Sequence, residues 1–174
     1  PVSIDYVNGV MGALKKYPAN DVQIWKKKNI FLGCHAQWIT PESLGEQLPY
    51  YDPERQLVLT ADAVIDNRDE LFKQLQVPYE LRKSMTDGKL ILLAYERWKE
   101  QCPKYLLGDF AFMIWDINRK QLFGARDFSG TRTLYYYHGI NRFAFCTIMK
   151  PLMSLPFINK KLSEGWISEF LAIP

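Results

Sequence analysis

Ile4, Val7, Val10, Met11 and Leu14 recur at close to a helical period behind Ser3 or Asp5, either of which can cap a helix that Pro18 and Asn20 end. Asn29 to Ile39 has the composition of a strand stopped by Pro41, and Leu48 to Glu54, with two prolines and an aspartate, that of a loop. In Gln56 to Asp66 the apolar or small residues fall on both parities, with Leu57, Leu59, Ala61, Ala63 and Ile65 on one and Val58 and Val64 on the other. That pattern predicts a strand covered on both faces. Asp62 interrupts its centre.

Asn67 with Glu70 three residues on predicts a capping box and a short helix through Leu75. Thr86 or Asp87 then caps a longer helix, along which Leu90, Leu93, Ala94 and Trp98 form one apolar stripe. Beyond it, Phe110 to Trp115 with Gln121 to Ala125, and Thr133 to His138 with Arg142 to Cys146, predict two hairpins joined by the loop Arg126 to Arg132. Helical stretches over Ile148 to Ser154 and Ser163 to Leu171 follow, the last running up to Pro174. Two-sided strands and amphipathic helices together predict an α+β fold with helices outside and sheets inside. There is no internal repeat or low-complexity segment.

Composition narrows the picture further. The 174 residues are 48% hydrophobic and 14% aromatic against 24% charged, which excludes disorder, collagen and coiled coil and suffices for one cored domain. The formal charge of +3 is too weak for a nucleic-acid partner, and Lys26-Lys27-Lys28 is expected to be a solvated turn before a strand. No apolar run is long enough to span a bilayer and no signal peptide is present, so no membrane partner is expected. Cys34, Cys102 and Cys146 are odd in number and widely spaced, a poor basis for a disulfide frame or a zinc site. A cytoplasmic protein with reduced thiols is the expectation. The chain starts at Pro1 without Met, by processing or because residues precede it.

Candidate chemistry is sparse. His35 and His138 are the only histidines. His138 falls at a hairpin end, and Cys34 and His35 are neighbours on a strand, so they point to opposite faces and make no nucleophile–base pair. The loop Gly124 to Arg132 lacks the order of a phosphate-binding loop. Asp62, a carboxylate within an apolar strand, needs either an arginine partner or a site to face.

Four segments in register add a family. Leu59 to Asn67, Thr86-Asp87, Gly108-Asp109-Phe110-Ala111-Phe112 to Asp116, and Ala125-Arg126-Asp127 to Leu134-Tyr135-Tyr136 resemble the class II glutamine amidotransferase domain of asparagine synthetases. The last two correspond to the family pattern G-x-F-A-F-x-x-x-D, then R-D-x-x-G-x-x-P-L-Y-Y, with Thr133 at the place of the proline. The resemblance implies an N-terminal-nucleophile hydrolase fold, a four-layer αββα sandwich, without its first strand in this chain. It implies an amidotransferase-like domain over residues 1–160. Residues 161–174 then lead toward an ATP- and Mg²⁺-using synthetase domain, the expected partner, with no cofactor or metal in the present segment.

The family's nucleophile is a cysteine at the mature N-terminus, on a strand ahead of the helix that begins here near Ser3, so no catalytic residue is assigned. Its glutamine-carboxylate arginine falls on Ala36 or, with a one-residue slip, on Gln37, and neither offers a guanidinium. Its oxyanion motif N-G-E falls on Asp62-Ala63-Val64, an acceptor where a donor is needed. Asp87 alone matches, at the position that holds the glutamine amino group. The resemblance therefore implies a vestigial glutamine pocket that no longer hydrolyses. Such loss resembles that of lasso-peptide cyclases, in which a precursor peptide supplies the amine. An active glutaminase with its cysteine upstream of Pro1 and a stand-alone binding module are the alternatives.

Overall fold

The computed structural model describes residues 2–172. Pro1 and the end of the last predicted helix, residues 173–174, lie outside them. Helix α1 spans Ile4–Leu14, and Ser3 caps it by accepting the Asp5 N–H at 3.2 Å. Strands β1 (Asp21–Lys27) and β2 (Ile30–Ala36) then form an antiparallel ribbon turning at Lys28-Asn29. The sequence reading missed β1 because its polarity is reversed. Val22 and Ile24 face solvent, while Gln23 and Trp25 turn inward. The basic run accordingly straddles the end of β1 and the turn, exposed throughout.

The main sheet has four antiparallel strands in chain order, β3 (Tyr50–Asp52), β4 (Leu57–Ile65), β5 (Gly108–Asp116) and β6 (Gln121–Arg126). Strand β3 lies where a loop is expected; Pro49 and Pro53 flank it, and it pairs with β4 for three residues only, as short edge strands do. The two-sided pattern of β4 is explained by its neighbours. Leu57, Leu59 and Ile65 meet helix α4 (Asp87–Trp98) and helix α2 (Arg68–Gln74) in the larger core, whereas Thr60 faces β2 and donates to the Gly33 carbonyl at 3.2 Å. Leu90, Ile91, Leu92, Ala94 and Tyr95 of α4 are fully or almost fully buried in that core, and each large apolar side chain there contributes roughly 1.5–3 kcal/mol by leaving water.

The capping box expected at Asn67 is not formed. Asn67 caps no helix N–H. Its amide instead donates to the Tyr105 carbonyl at 2.9 Å and accepts the Leu107 N–H at 3.0 Å, tying the start of α2 to the approach to β5. There Gly108, at φ +132°, begins β5 so close to β4 that a Cβ would sit 2.1 Å from the Val64 carbonyl oxygen.

The one-turn helix α3 (Tyr79–Arg82) runs between α2 and α4, and a 3₁₀ segment, Lys99–Tyr105, runs between α4 and β5. The second ribbon, β7 (Tyr135–His138) with β8 (Phe143–Cys146), is followed by α5 (Met149–Leu152) and α6 (Glu164–Ala172). Helices α1 and α5 close over β8 in a smaller core around Leu14, Cys146, Leu152 and Leu155. The layers are therefore helix (α2, α4), four-stranded sheet, two separate ribbons and helix (α1, α5), the αββα order of the N-terminal-nucleophile type. No described helix is long and apolar enough to cross a membrane.

Candidate functional site

A cavity of about 1070 Å³ opens between the two ribbons, over the face of β4 and β5 that looks away from α4. Among the described residues no ladder joins β2 to β8 across it. Its walls are mostly apolar, with Leu32 and Met113 on one side and Ala144 and Leu152 on the other. A few polar groups converge on it: Asp62, Arg132, Glu46, Thr60 and His35.

Asp62 stands at the centre of β4 opposite Ala111 and meets Arg132, whose Nε lies 3.5 Å from Oδ1. That nitrogen is buried without a hydrogen-bond partner, so the pair is held by charge rather than by an aligned bond. Burial pushes the Asp62 carboxyl above its ordinary value, with Arg132 pulling down and Asp109 pushing up. The alternative left open by the sequence thus takes a definite form: Asp62 has an arginine partner and also faces the cavity. Sequence reasoning did not find Arg132, seventy residues away in a loop without regular structure.

Asp127 aims that arginine. Its Oδ2 accepts the N–H groups of Arg132 at 2.9 Å and Phe110 at 3.3 Å, and its Oδ1 those of Thr131 and the Ser129 hydroxyl at 2.8 Å each. Desolvation alone would raise this carboxyl, but the bonds from Arg132, Ser129, Thr131 and Phe110 hold it well below the usual carboxylate range. A depressed carboxyl contributes stability that is present above about pH 4 and lost as pH falls below it. Thermal melts from pH 7 to pH 3 should therefore show a steep acid limb, and Asp127→Asn should lower the neutral Tm and flatten that limb. An unchanged limb in the variant would mean the loop is held by something else.

Asp87 behaves differently. It is 2% exposed, at the first turn of α4, and does not reach the cavity. One oxygen pairs with the Arg68 guanidinium and the other accepts the Ile65 N–H at 3.3 Å. Arg68 also donates to the Met85 carbonyl and lies over the Phe72 ring at 5.4 Å. Burial pushes the Asp87 carboxyl up to about 6, against Arg68 and the Ile65 N–H. Glu46 stands between α4 and the cavity, accepting the Gly88 N–H at 2.9 Å, while the Trp38 indole donates to its carbonyl at 3.2 Å.

The other expected pocket residues, Ala36, Gln37 and Ala63, line the same cavity as Asp62. Ala36 ends β2, buried, and Gln37 is exposed with its amide donated to the Pro18 carbonyl at 3.2 Å. Ala63 follows Asp62 and packs against the larger core. Cys34 and His35 do point apart. The Cys34 thiol faces the Ala61 carbonyl, and burial pushes it up to about 12, far from a nucleophile's range. Both His35 nitrogens are buried and unpartnered, and burial with Lys15 lowers its pKa. His138 is exposed at its hairpin.

The glutamine amidotransferase domain family matches residues 35–154, more than half the chain and all of β4 to β8. The chain belongs to that family. Asparagine synthetase [glutamine-hydrolyzing] 3 of Bacillus subtilis is 25% identical over 163 residues, 92% of this chain and 26% of that protein. Asparagine synthetase [glutamine-hydrolyzing] 1 of the same bacterium is 32% identical over 115 residues, 66% of this chain and 18% of that protein. A putative asparagine synthetase 2 of Methanocaldococcus jannaschii is 31% identical over 104 residues, 58% and 20% of the two. The amidotransferase domain thus spans about a quarter, or less, of the length of these relatives.

Among the described residues no three His, Cys, Asp or Glu side chains converge on one point, and the glycine of the Asp127 loop, Gly130, stands against the Arg126 guanidinium.

Proposed function

We propose that this is a non-hydrolytic amidotransferase domain of a longer asparagine synthetase-like enzyme, which joins a carboxylate to an amine in an ATP- and Mg²⁺-dependent synthetase domain. The observation that carries the reading is Asp62 paired with Arg132, at the position where the family places its oxyanion donor. Hydrolysis of a glutamine side-chain amide builds negative charge on the amide oxygen. A donor stabilises that charge, whereas a carboxylate opposes it and has no proton to give unless it is protonated. Arg132 neutralises Asp62 and thereby preserves the fold without supplying an aligned donor.

The domain's role is then to pack against the synthetase domain and support it. Ammonia from glutamine is not needed when the amine is carried by another substrate, and an amino group of a precursor peptide, closed into a macrolactam as in lasso-peptide cyclases, is the form we favour. Three unpaired, buried cysteines support a reducing, cytoplasmic setting. The test is nitrogen-source dependence in the full-length protein. ATP turnover with an acceptor amine should proceed without glutamine and change less than about twofold when glutamine is added, a difference well under 1 kcal/mol. Turnover that requires glutamine would contradict the reading.

A further inference from the structure

We propose that Phe128 is an anchor by which this domain docks onto the synthetase domain of the same polypeptide, its ring entering an apolar recess there. The proposal rests on the part of the reading above that gives the polypeptide a synthetase domain. Asp127 to Gly130 form a tight turn, in which the Gly130 N–H donates to the Asp127 carbonyl at 3.2 Å. Aspartate at the first place and glycine at the fourth, here at φ +70°, suit the commonest β-turn, whose second place accepts most residues. Nothing in the turn therefore calls for phenylalanine at 128. Its side chain is nonetheless wholly exposed.

The turn has no freedom to fold that ring away. The Asp127 N–H donates to the Phe110 carbonyl at 2.7 Å, which fixes one side of the turn on β5. The Asp127 carboxylate fixes the other side through the N–H groups of Thr131 and Arg132. Thr131 to Leu134 line the cavity and Phe128 does not, so a ligand in the cavity leaves the ring bare. A large apolar side chain held rigidly outward has little conformational freedom to lose on docking, which is the property of an interface anchor.

Two observations select the partner. The domain spans about a quarter, or less, of the length of its relatives, so most of each relative lies outside the matched part. Helix α6, the last described element, has no buried residue, and its Trp166 and Phe170 stack at 5.3 Å with both rings exposed. Aromatic surface is thus left bare on two separate elements, as suits a domain that packs against a neighbour in its own chain.

The experiment is hydroxyl-radical footprinting of the full-length natural protein, read residue by residue by mass spectrometry. In the native protein Phe128 should be oxidised at least about fivefold more slowly than in the urea-unfolded protein, because the docked ring is shielded from water. A smaller difference overturns the proposal. Protection that persists on dilution supports docking within the chain, whereas protection lost on dilution assigns the ring to a second copy and overturns it. Since the ring touches nothing within this domain, Phe128→Asp reads the interface alone. It should lower the Tm of the full-length protein by at least about 3 °C, and a smaller shift overturns the proposal. Ammonia release from glutamine would overturn the non-hydrolytic reading and leave the docking intact. An unprotected Phe128 overturns the docking and leaves that reading intact.

Discussion

Asp87→Ala is expected to cost about 3–5 kcal/mol of folding stability, because it strands the largely buried Arg68 guanidinium without a counter-charge. It also leaves the Ile65 N–H, at the end of β4, without its acceptor. For a domain of this size each kcal/mol moves Tm by roughly 2–4 °C, so the variant should melt about 10 °C lower. The double change Asp87→Leu/Arg68→Met removes both charges and should recover most of that loss, as replaced buried ion pairs generally do. Denaturant and thermal melts of the two variants measure this directly. A single-variant cost below about 1 kcal/mol would show the pair to be solvated and of little consequence.

The pH dependence of this pair has the opposite sign to that of Asp127. The Asp87 carboxyl is raised to about 6, so the stability it contributes is fully present below its unfolded value and is lost as pH rises through about 6. Asp127 contributes on the other side, above about pH 4. Wild-type stability should therefore peak between the two. Asp87→Ala should abolish the decline on the alkaline side of that peak.

What could be foreseen follows from the range of the interactions. Local patterns gave α1, α4, β4 and both later hairpins, since helical stripes, capping by Ser3 and Thr86, and turn residues are set by neighbours in sequence. Strand β1 was hidden because Val22 and Ile24 face water, inverting the usual alternation, and β3 because three residues between prolines carry no period. Asn67 has the spacing of a cap, yet a long-range competitor, the chain at Tyr105 to Leu107, takes its side chain.

The site divides in the same way. That Asp62 must have a partner or a purpose was readable from its place in an apolar strand. That the partner is Arg132 was not, because the Asp127 loop folds back over β5 to deliver it. Asp87 was readable as a pocket residue only through the family pattern, and nothing local marks Arg68 or Glu46 as the groups that engage it and its neighbour. Such pairings depend on packing of α2, α4 and the Gly45 turn, at φ +75°, and not on spacing.

Hydrolysis is where the largest effect is expected. Loss of one oxyanion donor lowers turnover by about 10²–10³-fold, some 2.7–4 kcal/mol, and a carboxylate in its place deepens the loss. Absence of a guanidinium at Ala36 or Gln37 is expected to weaken binding of the glutamine carboxylate as well. These effects act on separate steps and compound. Steady-state release of ammonia from L-glutamine by the full-length natural protein is the most direct measurement. The account predicts a rate indistinguishable from that of glutamine in buffer, at every glutamine concentration. Ammonia release that saturates with glutamine and rises in proportion to protein would contradict it.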